Sequence, residues 1–132
     1  MEYDESSTID ELLTLSQKLL ESIAAADWET YAALCDESIS AFEPESQGHL
    51  VEGMEFHRFF FNLGASPGTF NITLAAPHVR LMGDAAVVSY VRLTQRSDAE
   101  GKVTISRCEE TRVWQRVADR WQHVHFHRSA SR

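Results

Sequence analysis

Apolar residues recur every three or four positions early in the chain and every second position late in it, so helices are expected first and strands after. Ile9, Leu12, Leu13, Leu19, Leu20 and Ile23 share one face of a helix predicted from Thr8 to about Ala25. Thr8 and Glu11 have capping-box spacing at its start. Residues 1–7 lack apolar periodicity and are expected to form a disordered tail ahead of a single domain over 8–129. Asp27 is the expected N-cap of a short helix through Leu34, with Trp28, Tyr31 and Leu34 inward. Ile39–Phe42 reads as a strand that stops at Glu43-Pro44, because proline cannot donate to a ladder. A brief extended piece at Leu50-Val51 leads to a third helix from Glu52 or Gly53. Phe56, Phe59, Phe60 and Leu63 lie on one of its faces, and Met54, His57, Arg58 and Phe61 on the neighbouring stripe.

Past the Gly64–Gly68 break the period becomes two, with strands predicted over about 69–81, 85–96, 103–117 and 120–128. The links between them are hairpin-sized: Gly83-Asp84, Asp98-Ala99-Glu100-Gly101 and Ala118-Asp119. Strands this long must twist and curl. The predicted fold is α+β, a strongly curved, mainly antiparallel sheet wrapped around the long N-terminal helix.

Composition changes this picture little. The hydrophobic content of 43% and charged content of 24% are those of an ordinary globular protein. No apolar run reaches the ~20 residues of a membrane helix, and the acidic start Met1-Glu2-Tyr3-Asp4-Glu5 is unlike a signal peptide. A cytoplasmic location is expected. The net charge of −8 argues against nucleic acid and anionic membrane as partners. Cys35 and Cys108 stand far apart and read as small buried thiols rather than a disulfide or metal pair.

Candidate chemistry lies on the late strands. Arg92, Arg112 and Arg128 each sit among apolar or aromatic residues, and side chains two apart share a face. Arg92 therefore joins Val88, Tyr90 and Thr94; Arg112 joins Cys108, Glu110 and Trp114; Arg128 joins Val124 and Phe126. A guanidinium stays charged, and its burial costs several kcal/mol unless something anionic offsets it. Two readings stay open: a small carboxylate or phosphate ligand gripped by guanidinium forks, or a structural network in which Glu43, Glu45, Glu109 or Glu110 folds in. Tyr31 and His57 are helix-borne residues that could cap the cavity. His123, His125 and His127 alternate on what reads as the face away from Arg128; H-x-H can ligate zinc from a strand, but no third ligand accompanies it. Neither metal nor cofactor is expected. Tyr90, His57 and Asp36 or Glu110 could supply acid–base chemistry of a dehydratase or isomerase type.

Seven segments in order carry a resemblance: Cys35-Asp36, Ala41-Phe42-Glu43-Pro44-Glu45, Leu50-Val51-Glu52-Gly53, Phe56-His57-Arg58-Phe59, Pro77 to Asp84, Glu109 to Trp114, and Val124 to Ser129. Together they resemble the association (hub) domain of calcium/calmodulin-dependent protein kinase type II, over about Thr8 to Ser129. The resemblance implies the cone of the nuclear transport factor 2-like (cystatin-like) superfamily. It also implies homodimers that stack into rings of about twelve to fourteen subunits. And it implies a pocket for a small carboxylate lined by His57, Arg92, Arg112 and Arg128, with Tyr31 a further member. No kinase domain or calmodulin-binding segment lies within the 132 residues, so the expectation is a module without kinase activity of its own, in a freestanding bacterial or algal version. The alternatives are a SnoaL-like enzyme, a cofactor-free lyase or isomerase, and a regulatory partner that joins kinase hubs. Two departures stand out. Phe61-Asn62-Leu63-Gly64 runs one residue shorter than the animal loop and has Gly64 where that loop has tryptophan. His123 replaces a usually aliphatic residue.

Overall fold

The structure, a computed structural model, describes residues 4–65 and 68–132. Its elements in order are α1 (Glu5–Ala24), α2 (Trp28–Leu34), β1 (Cys35–Phe42), a 3-10 turn (Pro44–Ser46), β2 (Val51–Glu52), α3 (Glu55–Asn62), β3 (Phe70–Met82), β4 (Ala85–Ser97), β5 (Val103–Val117) and β6 (Arg120–Arg128). One six-stranded sheet has the order β2-β1-β6-β5-β4-β3. The last four strands form the expected antiparallel meander, while β1 runs parallel to β6. The α+β architecture is therefore a mixed, open sheet curved against α1 and α2.

Helix α1 begins one turn earlier than the Thr8 cap predicted. Asp4 takes the N-cap, accepting from the Ser6 N–H, and Thr8 lies inside the first turn with its hydroxyl donating to the Asp4 carbonyl. Residues 5–7 of the expected tail are thus helical, and residues 1–3 lie outside the described residues. Leu12, Leu19 and Leu20 are fully buried, and Gln17 Nε2 donates to the Ile72 carbonyl at 2.9 Å, fastening α1 to β3. Asp27 caps α2 as predicted, through the Thr30 N–H. The Gly64–Gly68 break falls partly on residues 66–67, which lie outside the described residues.

Strand β1 is twice the predicted length, starting at Cys35, because its parallel neighbour β6 satisfies the backbone that the sequence pattern alone leaves unassigned. Of the two stripes of α3, the one bearing His57 and Phe61 faces inward. Phe59 and Leu63 are 61% and 69% exposed, while His57 is buried and Phe61 packs against Tyr31 and Trp28. The less apolar stripe turns inward because α2 offers it an aromatic wall.

The strand links obey turn geometry. Val117 pairs with Arg120 across a two-residue turn, and Ala118 and Asp119 both have positive φ (52° and 63°), the type I′ form that matches strand twist. A bulge in β6 separates His123 from His125 in its pairing with β5. It shifts the alternation by one, so His123 is fully buried while His127 is exposed. The predicted three-histidine ladder on one face is therefore broken.

Candidate functional site

Pairing register assembles the site. Tyr90 on β4, Glu110 on β5 and Arg128 on β6 lie in one cross-strand row; Val88, Arg112 and Phe126 form the next. Arg92 pairs with Cys108 one row further along. Because alternate residues share a face, Arg92, Arg112 and Arg128 all reach the same cavity of about 260 Å³. Tyr31, His57, Phe60, Phe61, Phe126, Glu43 and Glu45 also line it, so all five candidate residues read from the sequence meet there.

Arg112 is the floor. Its side chain is 1% exposed, and each guanidinium nitrogen has a partner. Nε donates to the Tyr90 hydroxyl (2.8 Å), NH2 meets Glu110 (3.2 Å), and NH1 faces His123 Nε2 (3.3 Å). The guanidinium lies 4.6 Å from the Phe126 ring centroid, a cation–π contact. Glu110 also pairs with Arg92 at 3.0 Å and accepts from the Tyr90 hydroxyl at 2.6 Å. Burial alone raises the Glu110 carboxyl, but Arg112, Arg92 and the Tyr90 hydroxyl outweigh it and hold it below the usual carboxylate range. Burial pushes the Tyr90 hydroxyl in the opposite direction, well above its ordinary value.

The histidine at 123 belongs to this floor. Arg112 can only donate, so a neutral His123 accepts at Nε2 and carries its proton on Nδ1, 3.4 Å from the Cys35 sulfur. Burial and then the Arg112 charge push its pKa well below the ordinary value. Burial likewise raises the Cys35 thiol to about 12 and the Cys108 thiol above its usual value. Both cysteines are free and buried.

The mouth is set by the chain leaving β1. Ala41 and Phe42 pair with Phe126 and His127, which brings the following Glu43 and Glu45 to Arg128. Arg128 donates from NH2 to a Glu45 carboxylate oxygen. Burial raises Glu43 to about 6, helped by Glu45 and opposed by Arg128. Arg128 and Glu45 side chains are 15% and 38% exposed, so this pair stands nearer water than the Glu110 cluster.

His57 forms one wall. It is 5% exposed, and its ring centroid lies 5.9 Å from that of Tyr31 and 5.6 Å from that of Phe126. Its Nε2 is buried without a hydrogen-bond partner, as is Nε of Arg92. Burial, and then the charge of Arg112, lowers its pKa to about 4, so the imidazole is neutral at pH 7.

Of the residues expected to supply acid–base chemistry, Tyr90 and Glu110 meet, the Tyr90 hydroxyl donating to Glu110 at 2.6 Å. His57 lines the cavity shared with their partner Arg112, while the Asp36 carboxylate is turned to Ser38 instead. Among the described residues no cluster of three metal-ligating side chains occurs, and no helix is long and apolar enough to cross a membrane. Of the acids that could fold in to neutralise the arginines, Glu110 pairs with Arg92 and Arg112 and Glu45 with Arg128, while Glu109 pairs with Arg132 instead. His123 was the residue whose role the sequence misjudged, and its period-two spacing could not signal the bulge.

The family model for the calcium/calmodulin dependent protein kinase II association domain matches residues 8–132. The chain belongs to that family. The Drosophila melanogaster calcium/calmodulin-dependent protein kinase type II alpha chain is 45% identical over 96% of this chain, which spans 24% of that relative's length. The association domain of the C. elegans kinase is 42% identical with a TM-score of 0.88, covering 96% of this chain and 98% of that one. A nuclear transport factor 2-like protein from Salmonella enterica shares the fold at 21% identity and a TM-score of 0.77, covering 96% and 93%.

Proposed function

We propose that this domain self-associates, as dimers that stack into a larger ring, and that its arginine-lined cavity holds a small carboxylate or similar anion. The observation that carries the reading is the convergence of three guanidiniums on one cavity in a member of the association-domain family. At about 260 Å³ the cavity lies just under the ~300–1,000 Å³ of drug-sized sites, which suits a small molecule rather than a peptide. Arg92 and Arg128 present donors to it. Arg112 has its nitrogens committed and adds positive charge from behind. The aromatic wall of Tyr31, Phe61 and Phe126 takes the apolar part of the ligand.

Two measurements test the two halves. Light scattering on the eluting protein is expected to give about 180 kDa or more, at least twelve copies of a 15.0 kDa chain; about 30 kDa would overturn the ring. Titration calorimetry with benzoate is expected to give saturable heat that Arg112→Ala diminishes. Identical isotherms for the two proteins would remove the pocket assignment.

A further inference from the structure

Two carboxylates pair with the arginines that line the cavity, Glu110 behind the lining and Glu45 within it, and they are not equivalent. Glu110 holds Arg92, Arg112 and Tyr90 at once, with its side chain fully buried. Moving it would strand two guanidiniums away from water. Glu45 holds one guanidinium, that of Arg128, from the cavity mouth, and its side chain is 38% exposed. Its backbone is independently fixed: the Ser46 hydroxyl donates to the Glu43 carbonyl at 2.7 Å, and the turn closes through the Ser46 N–H to the same carbonyl at 3.0 Å. Glu45 can therefore rotate into water about its own side-chain bonds while the strap from Glu43 to Gln47 stays in place.

We propose that Glu45 is a built-in competitor: its carboxylate occupies the Arg128 fork, and an external anion enters the cavity by displacing it into solvent. This rests on the anion-pocket reading above and adds the mode of regulation. The exchange preserves the charge count at Arg128, one carboxylate replacing another. It also spares the Glu110 floor, so binding needs no rearrangement of the core. Binding is then set by the difference between two carboxylate–guanidinium contacts rather than by one. A ligand gains over Glu45 only through what its remaining atoms make with the aromatic wall, so acetate is expected to compete poorly and benzoate well.

The test uses the full chain, with benzoate as the probe. Glu45→Gln is expected to bind benzoate about tenfold tighter, the effect of removing one competing charged hydrogen bond. Because loss of a nearby negative charge would also favour an anion, a second readout follows the unmodified protein. The Glu45 side-chain carboxyl, tracked by carbon-13 chemical shift against pH, titrates below the ordinary range in the free protein, where Arg128 holds it down against burial. Saturating benzoate is expected to return it towards the ordinary glutamate value. A Glu45 titration that benzoate leaves unchanged overturns the exchange while the pocket reading stands. Absence of benzoate heat in both proteins, with native thermal unfolding for each, overturns the pocket and the exchange with it.

Discussion

Glu110→Gln keeps the shape of the side chain and removes its charge, which leaves Arg92 and Arg112 facing each other across a neutral amide. In the native chain Glu110 stands 3.0 Å from Arg92 and 3.2 Å from Arg112, whose side chain is 1% exposed. Breaking a buried pair from one side costs about 3–5 kcal/mol, because the surviving charge stays desolvated. About 4 kcal/mol is a large share of the ~5–15 kcal/mol that holds a domain together. For a chain of this size it corresponds to a fall in Tm of roughly 15 °C. The assay is thermal unfolding followed by circular dichroism at fixed protein concentration, since assembly would make Tm concentration-dependent. Arg112→Met and the double variant complete a cycle. The double variant is expected to be more stable than the sum of the singles, by about 2 kcal/mol, since it removes both charges together. The pH sign follows from the depressed Glu110 pKa. Its stabilisation is complete above the ordinary glutamate range and is lost as pH falls through the lowered value, so Glu110→Gln flattens the acid limb of the stability curve. A Glu110→Gln penalty below about 1 kcal/mol, or additivity in the cycle, would refute the argument that this carboxylate anchors the floor.

Other outcomes follow from the same geometry. His57 has a folded pKa of about 4, below its unfolded value, so the stability it contributes is present above about pH 6.5 and lost as pH falls towards 4; its ring proton shifts in NMR should not titrate between pH 8 and 5. Glu43, raised to about 6, behaves oppositely: its folded carboxyl favours the protonated form, and that stability is lost as pH rises through 6. Glu43→Gln is therefore expected to raise Tm at pH 7.5 and to change it little at pH 4. Both thiols should resist an exposed-thiol reagent in the native protein and react fully in denaturant, given their burial and raised pKa values. Ala118→Asn with Asp119→Gly supplies the residues that a type I′ turn favours, and should stabilise the domain by about 1 kcal/mol in urea unfolding.

Much of this protein was legible in its sequence because local periodicity and turn chemistry are local facts. The meander and α2 with its Asp27 cap follow from spacing and capping chemistry. So do the neighbours that share each arginine's side of its own strand, since alternate residues of a strand must share a side. The register between strands then turned Arg92, Arg112 and Arg128 into one cavity. What the spacing could not supply was anything set between distant elements. The parallel pairing of β1 with β6 extended β1 back to Cys35 and carried Glu43 and Glu45 to Arg128. The β6 bulge turned His123 inward to Arg112, against the alternation that placed it with His125 and His127. On α3 two stripes were available, and the aromatic wall of α2 selected the one bearing His57 and Phe61. Which acid neutralises which arginine was likewise a question of long-range register. The sequence determined that three buried cations would need anions; only the tertiary structure decided that Glu110 binds two of them irreplaceably and Glu45 the third at the mouth, because electrostatic pairing depends on through-space distance and desolvation rather than on separation along the chain.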